Sequence, residues 1–326
     1  MTVLRAVPIG CGHYLPERVV ENAEFEKTLE TTDEWITART GIKRRRFAAE
    51  GELTSDLAIN AANAALSDAG ITGADLDAIV LATATPDQTF PSTATRVQAA
   101  LGMQGGFAFD VQAVCAGFIF ALSNANALIV SCQAKRVMVI GAETFSRIMD
   151  WNDRSTCVLF GDGAGALILE AREQPGESTD AGILTTDLNS DGRYNDLLYV
   201  DGGVSSTQST GVLRMQGQEV FKHAVSKLHS SGQTVMQNAG VTADDVDVVV
   251  PHQANLRIIR KVGQKMAIPE ERIVVTVQDH GNTSAASIPL AMSVARQEGR
   301  IGTKDLILME AIGGGLAWGA ALMRWN

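Results

Sequence analysis

Three residues pose the chemical question in this chain: Cys115 in "DVQAVCAGFIFAL", His252 in "VVVPHQANLRII" and Asn282 in "QDHGNTSAAS". Each stands where an apolar run of strand character meets one of helical character. Together they match the nucleophile, base and orienting group of covalent catalysis. Taken singly, none is decisive. Free cysteine is among the most buried residue types, and a single histidine is more often a hydrogen-bonded structural residue than a catalyst. A thiol at a buried helix N-terminus is pulled in two directions, since the helix dipole favours the thiolate and burial opposes it.

The segments that must position these residues are unusual. "CAGFIFALSNANALIVS" carries no charged side chain, which predicts a central buried helix rather than an amphipathic surface helix. "NTSAASIPLAMSVA", starting at Asn282, is equally rich in small residues. Two such helices packed at a pseudo-twofold axis would bring their N-termini to one shared pocket. His252 directly follows an apolar strand, where loops at carboxyl ends of strands commonly carry chemistry.

The chain repeats itself. "AGITGADLDAIV" (69–80) and "AGVTADDVDVVV" (239–250) share six identical residues in twelve, each reading as helix end, acidic-capped turn and buried strand. "RVMVIGAE" leading to "FGDGAGALILE" is echoed by "DLILMEA" leading to "IGGGLAWGAALMRW". Two duplicated α/β halves are predicted, 1–173 and 174–326, with mostly parallel sheets covered by helices. The charged, proline- and glycine-bearing stretch 171–182 marks the boundary.

Composition narrows the function classes. The 326 residues are 45% hydrophobic and 20% charged, enough for a sizeable core, and the net charge of −10 argues against nucleic acid. Cys11, Cys115, Cys132 and Cys157 form no C-x-x-C pair, so no zinc site or disulfide framework is expected and a reducing cytoplasm fits. No apolar run has the length of a secretory signal or membrane span. "FGDGAGALIL" is G-x-G-x-G leading into a strand, so its glycines read as close packing rather than a dinucleotide site. His280 reads as an organiser of its loop.

"DVQAVCAGFIFAL", "PHQANLRII", "HGNTSAAS", "FGDGAGA" and "EAIGGGLAWGAAL", in this order over nearly the whole chain, resemble β-ketoacyl-acyl-carrier-protein synthase III. The resemblance implies a thiolase-like fold of two duplicated halves with mixed sheets, and a homodimer. It implies that an acyl group, acetyl or another short one, passes from coenzyme A to cysteine and then to decarboxylated malonyl-acyl-carrier protein. No metal or redox cofactor is implied.

Residue by residue, the resemblance makes Cys115 the acylated nucleophile and His252 with Asn282 the decarboxylating pair. The backbone N–H groups of Cys115 and Gly314 would form the oxyanion hole. Coenzyme A would meet Thr31, Trp35, Arg39, Arg154, Gln218 and Asn255, its adenine between indole and guanidinium. Phe90, Phe160 and Ile312 would shape the acyl pocket, with Phe90 reaching across the dimer interface. Lys222, Arg257, Lys261 and Lys265 would dock the carrier protein; the last three recur at i, i+4 and i+8 of an amphipathic segment, a pattern that is also that of a solvated face. Where relatives commonly have asparagine and phenylalanine, Gln218 and Ile312 stand here. A biosynthetic thiolase would need a second cysteine before the "GGG" turn, and an elongating synthase a second histidine at 282. The remaining alternative is a related secondary-metabolism ketosynthase or acyltransferase with another acyl-CoA or acceptor.

Overall fold

The computed structural model describes residues 2–326. The apolar runs form two sheets. The first holds five strands in the order Val3–Tyr14, Asp162–Gln174, Arg136–Thr144, Ala78–Ala82 and Phe107–Val111; the second holds four, Val248–Pro251, Leu306–Gly313, Ala317–Arg324 and Gly182–Ser190. Both are mixed, which corrects the mostly parallel arrangement expected from periodicity. Ala78–Ala82 runs parallel to both of its neighbours and Val248–Pro251 parallel to Leu306–Gly313, but the remaining pairs are antiparallel. The turn between Leu306–Gly313 and Ala317–Arg324 explains the second sheet: a parallel partner needs a crossover of about a dozen residues or more, and this link has no room for one.

The two echoed segments adopt the same geometry. Helices Thr54–Ala69 and Gly217–Ala239 both end on a left-handed glycine, Gly70 and Gly240, each at φ +67°. Thr72 and Thr242 then open short 3₁₀ turns and donate their N–H to Asp75 and Asp245, at 2.9 and 2.8 Å, before the buried strands begin.

Between the sheets lie the first central helix, Gly117–Val130, and the second, Ser287–Gln297, each entered through a 3₁₀ turn, Val114–Ala116 and Ser284–Ala286. One apolar cluster joins Phe118, Leu122 and Ile129 to Ile288 and Met292, with Val139 and Leu167 from one sheet and Met309 and Met323 from the other. The outer face of the first sheet packs Thr54–Ala69, and that of the second packs Gly217–Ala239 and Leu256–Lys265. Five layers result. Close helix–sheet approach depends on glycine: a Cβ on Gly141 would stand 2.2 Å from the Ala285 carbonyl oxygen, and one on Gly165 2.4 Å from the Leu290 nitrogen. The first central helix is less enclosed than its composition predicts, exposing Asn124, Ala127 and Val130. No helix among the described residues is long and apolar enough to cross a membrane.

Candidate active site

Cys115 lies in the 3₁₀ turn that feeds the first central helix and is 3% exposed. Val114 before it has φ +48°, a conformation matched in the second half by Ser284, also at φ +48°. These paired turns bring the two helix entries together. A Cβ on Gly313 would lie 2.7 Å from the Cys115 nitrogen, so only glycine lets the "GGG" turn approach the nucleophile's backbone. Burial pushes the Cys115 thiol up to about 12, opposed by the Ser284 hydroxyl and reinforced by the negative charge of Glu143.

His252 follows strand Val248–Pro251 and is buried; its backbone N–H donates to the Glu310 carbonyl at 2.8 Å. Its Nδ1 is 2.6 Å from Ser287 Oγ at the start of the second central helix. The Gln253 N–H donates to that same oxygen at 3.3 Å. A serine hydrogen directed at Nδ1 leaves the ring hydrogen on Nε2. Desolvation holds the imidazole down at about 3, so it is neutral at physiological pH. Gln253 fixes the loop, donating to the Pro251 and Val274 carbonyls and accepting from the N–H groups of Thr276 and Val277.

Asn282 is buried, and its Oδ1 accepts the Ser284 N–H at 2.8 Å. That bond sets the amide orientation and leaves Nδ2 as donor. Its backbone is clamped as well, by Asn282 N–H to the Leu159 carbonyl and Gly161 N–H to the Asn282 carbonyl, both 2.9 Å. His280 has a buried, unpartnered Nδ1 and a ring held down to about 4 by burial.

Cys115, His252 and Asn282 all line one cavity of about 670 Å³. Phe160, Ile312, Trp35, Arg39, Gln218, Asn255, Lys222 and Arg257 line it too. Phe160 stacks on Phe145 with ring centres 5.0 Å apart and is bridged to Asn282. Other predicted residues fall elsewhere. Gly314 lines a second cavity of about 700 Å³, on the Val114 side of the nucleophile turn. Phe90 is 81% exposed on the loop beside that second cavity, so a single chain does not unite it with Phe160 and Ile312. Thr31 lines neither, and its buried Oγ1 has no partner. Lys261 and Lys265 are exposed further along helix Leu256–Lys265.

Trp35 is flanked by the guanidinium groups of Arg39 at 4.4 Å and Arg154 at 5.2 Å, and Arg154 is hydrogen-bonded to the Glu30 carbonyl. Asn255 caps helix Leu256–Lys265, accepting the Arg257 N–H at 2.8 Å while donating to the Arg39 carbonyl at 3.2 Å. Lys222 is ion-paired with Glu219 at 2.6 Å.

Three residues of this site lay outside the sequence reading. Ser287 is one of several small residues in its run, and nothing in type or spacing marks it. Ser284 is equally anonymous. Glu143 carried a signal, as the lone acid in the apolar strand "RVMVIGAET".

A five-layered, internally duplicated α/β fold with a cysteine and two N–H donors at its centre defines a thiolase-like condensing acyltransferase. Residues 109–192 match the family described as 3-oxoacyl-[acyl-carrier-protein (ACP)] synthase III, and residues 236–325 match its C-terminal part. The chain is 70% identical over 321 residues to the β-ketoacyl-[acyl-carrier-protein] synthase III of Ruegeria pomeroyi, covering 98% of this chain and 99% of that one. The crystal structure of 3-oxoacyl-[acyl-carrier-protein] synthase III from Aquifex aeolicus superposes with a TM-score of 0.92 at 48% identity, covering 98% and 100% of the two chains. A priming β-ketosynthase of the R1128 polyketide pathway gives the same TM-score at 33% identity, covering 99% and 96%. The chain belongs to the β-ketoacyl-[acyl-carrier-protein] synthase III family.

Proposed function

We propose that this protein catalyses the initiating condensation of type II fatty-acid synthesis. An acyl group, acetyl or another short one, moves from coenzyme A to Cys115, and the acyl-enzyme condenses with malonyl-acyl-carrier protein. The observation that carries the reading is the meeting of Cys115, His252 and Asn282 on one cavity with Trp35, Arg39 and Arg257 at its outer part.

The Cys115 sulfur attacks the thioester carbonyl, and the thiol proton leaves with the departing coenzyme A thiolate. The backbone N–H groups of Cys115 and Gly314 hold the tetrahedral oxyanion. In the second step the bond from the malonyl carboxylate to the α-carbon breaks, and carbon dioxide departs. The electron pair is delocalised onto the thioester oxygen, where His252 Nε2–H and Asn282 Nδ2–H donate to it. The α-carbon then attacks the acyl-Cys115 carbonyl and expels the thiolate, which takes up a proton from solvent to restore the thiol. N–H donors hold both the oxyanion and the enolate, and the reading includes no metal or redox cofactor.

The reading includes a homodimer. Strand Phe107–Val111 is the edge of its sheet, and Phe107 and Phe109 stack at 6.3 Å on it with Phe107 38% exposed. An unpaired edge with aromatic side chains invites pairing, and the 81% exposed Phe90 supports insertion into a partner. A second copy on this face would bring Phe90 to its neighbour's acyl pocket. The protein is assigned to the cytoplasm, in keeping with four free cysteines.

Intact-protein and peptide mass spectrometry after incubation with acyl-CoAs, then malonyl-carrier protein, tests the function. Acylation should map to Cys115 although Cys132 is the exposed thiol, and 3-oxoacyl-carrier protein should follow. Acylation without condensation would overturn the reading in favour of simple acyl transfer.

A further inference from the structure

Strand Arg136–Thr144 carries Glu143 at its buried end with no exposure to solvent. Burial raises its carboxyl to about 7, opposed by the hydroxyl and N–H donors around it. Thr83 and Thr85 hydroxyls donate at 3.1 and 2.6 Å and the Ala84 N–H at 3.1 Å, all from the loop after Ala78–Ala82. The fourth donor crosses between the halves: Ser284 Oγ, 3.0 Å from Glu143 Oε1.

Ser284 is thereby held at two points. Its hydroxyl hydrogen goes to Glu143, and its backbone N–H goes to Asn282 Oδ1 at 2.8 Å. Its left-handed backbone, φ +48°, is one a non-glycine residue rarely adopts, and the bond to Glu143 anchors it there. The tie fixes which end of the Asn282 amide faces the cavity.

We propose that Glu143 is a positioning residue for this site: through the Ser284 hydroxyl it keeps the Asn282 amide donating toward the cavity. The role of Asn282 rests on the function proposed above.

Glu143→Gln keeps the shape and an acceptor for the Ser284 hydroxyl, while Glu143→Ala and Ser284→Ala break the tie. The measurement is malonyl-carrier-protein decarboxylation, which Ser284→Ala and Glu143→Ala should each lower about tenfold in kcat with KM nearly unchanged, Glu143→Gln retaining most of the rate. Acylation of Cys115 by acetyl-CoA, followed by intact-protein mass spectrometry, should fall far less. Wild-type decarboxylation by Ser284→Ala, or equal losses in both half-reactions, would overturn the role. A wild-type enzyme unable to decarboxylate malonyl-carrier protein would count against the proposed function instead.

Discussion

Replacing Ser287 by alanine isolates one interaction, the 2.6 Å bond between its hydroxyl and His252 Nδ1. The proposed decarboxylation needs Nδ1 to accept from this hydroxyl, so that Nε2 carries the hydrogen that an enolate oxygen needs. Without the hydroxyl, Nδ1 is a buried acceptor lacking a partner, and the tautomer with hydrogen on Nδ1 is no longer disfavoured. That tautomer has no Nε2–H to donate. Leaving one buried polar group unsatisfied costs about 1–3 kcal/mol, which corresponds to a loss of about 5- to 150-fold if it is expressed in the decarboxylation transition state. Self-acylation, which relies on the Cys115 and Gly314 backbone, should fall by no more than a few-fold. The assays are rapid-quench acylation by acetyl-CoA and carbon dioxide release from malonyl-carrier protein, with ¹⁵N NMR of labelled histidine reporting the tautomer directly. Wild-type carbon dioxide release by Ser287→Ala, or an NMR signal with hydrogen on Nδ1 in the wild type, would refute the assignment. Equal losses in both half-reactions would show that Ser287 supports the fold rather than the imidazole.

Arg257→Glu with Lys261→Glu should raise the KM for malonyl-carrier protein roughly ten- to thirtyfold, since two exposed ion pairs at up to about 1 kcal/mol each are reversed. Acetyl-CoA acylation should change little, and added salt should weaken wild-type condensation; a KM indifferent to both would make the stripe a solvated face. Phe90→Ala should extend the accepted acyl chain in steady-state assays with acyl-CoAs of increasing length, whereas an unchanged preference would remove Phe90 from the pocket. Burial raises Glu310 from 4.5 to about 8, with Oε2 unpartnered, so the folded state holds a proton that the unfolded chain has released. Its contribution to stability is full below pH 4.5 and is lost as pH rises through 8. The urea midpoint should therefore fall between about pH 5 and 8, less steeply in Glu310→Gln, and identical slopes would refute the assignment.

The chemistry-bearing residues were legible in the chain because residue type is itself the chemistry: a lone cysteine before an uncharged helix, a histidine after an apolar strand, an asparagine opening a run of small residues. The duplication was legible for a related reason, since threonine, aspartate and glycine at fixed offsets encode the same capped turns in both halves. Sheet direction was not, because apolar strands on either side of a layer look alike whether parallel or antiparallel; the length of the connecting turn decides it. Nor could sequence decide the state of the site. His252 Nδ1 meets a serine 35 residues away. The Asn282 amide is tied to Glu143 of the other half through Ser284, 141 residues from that glutamate. Arg154 lies against Trp35, and Glu219 draws Lys222 into an ion pair. Each outcome depends on two groups coming within a hydrogen bond or van der Waals contact of each other. Such distances are set by the packing of five layers against one another, and no local pattern carries them.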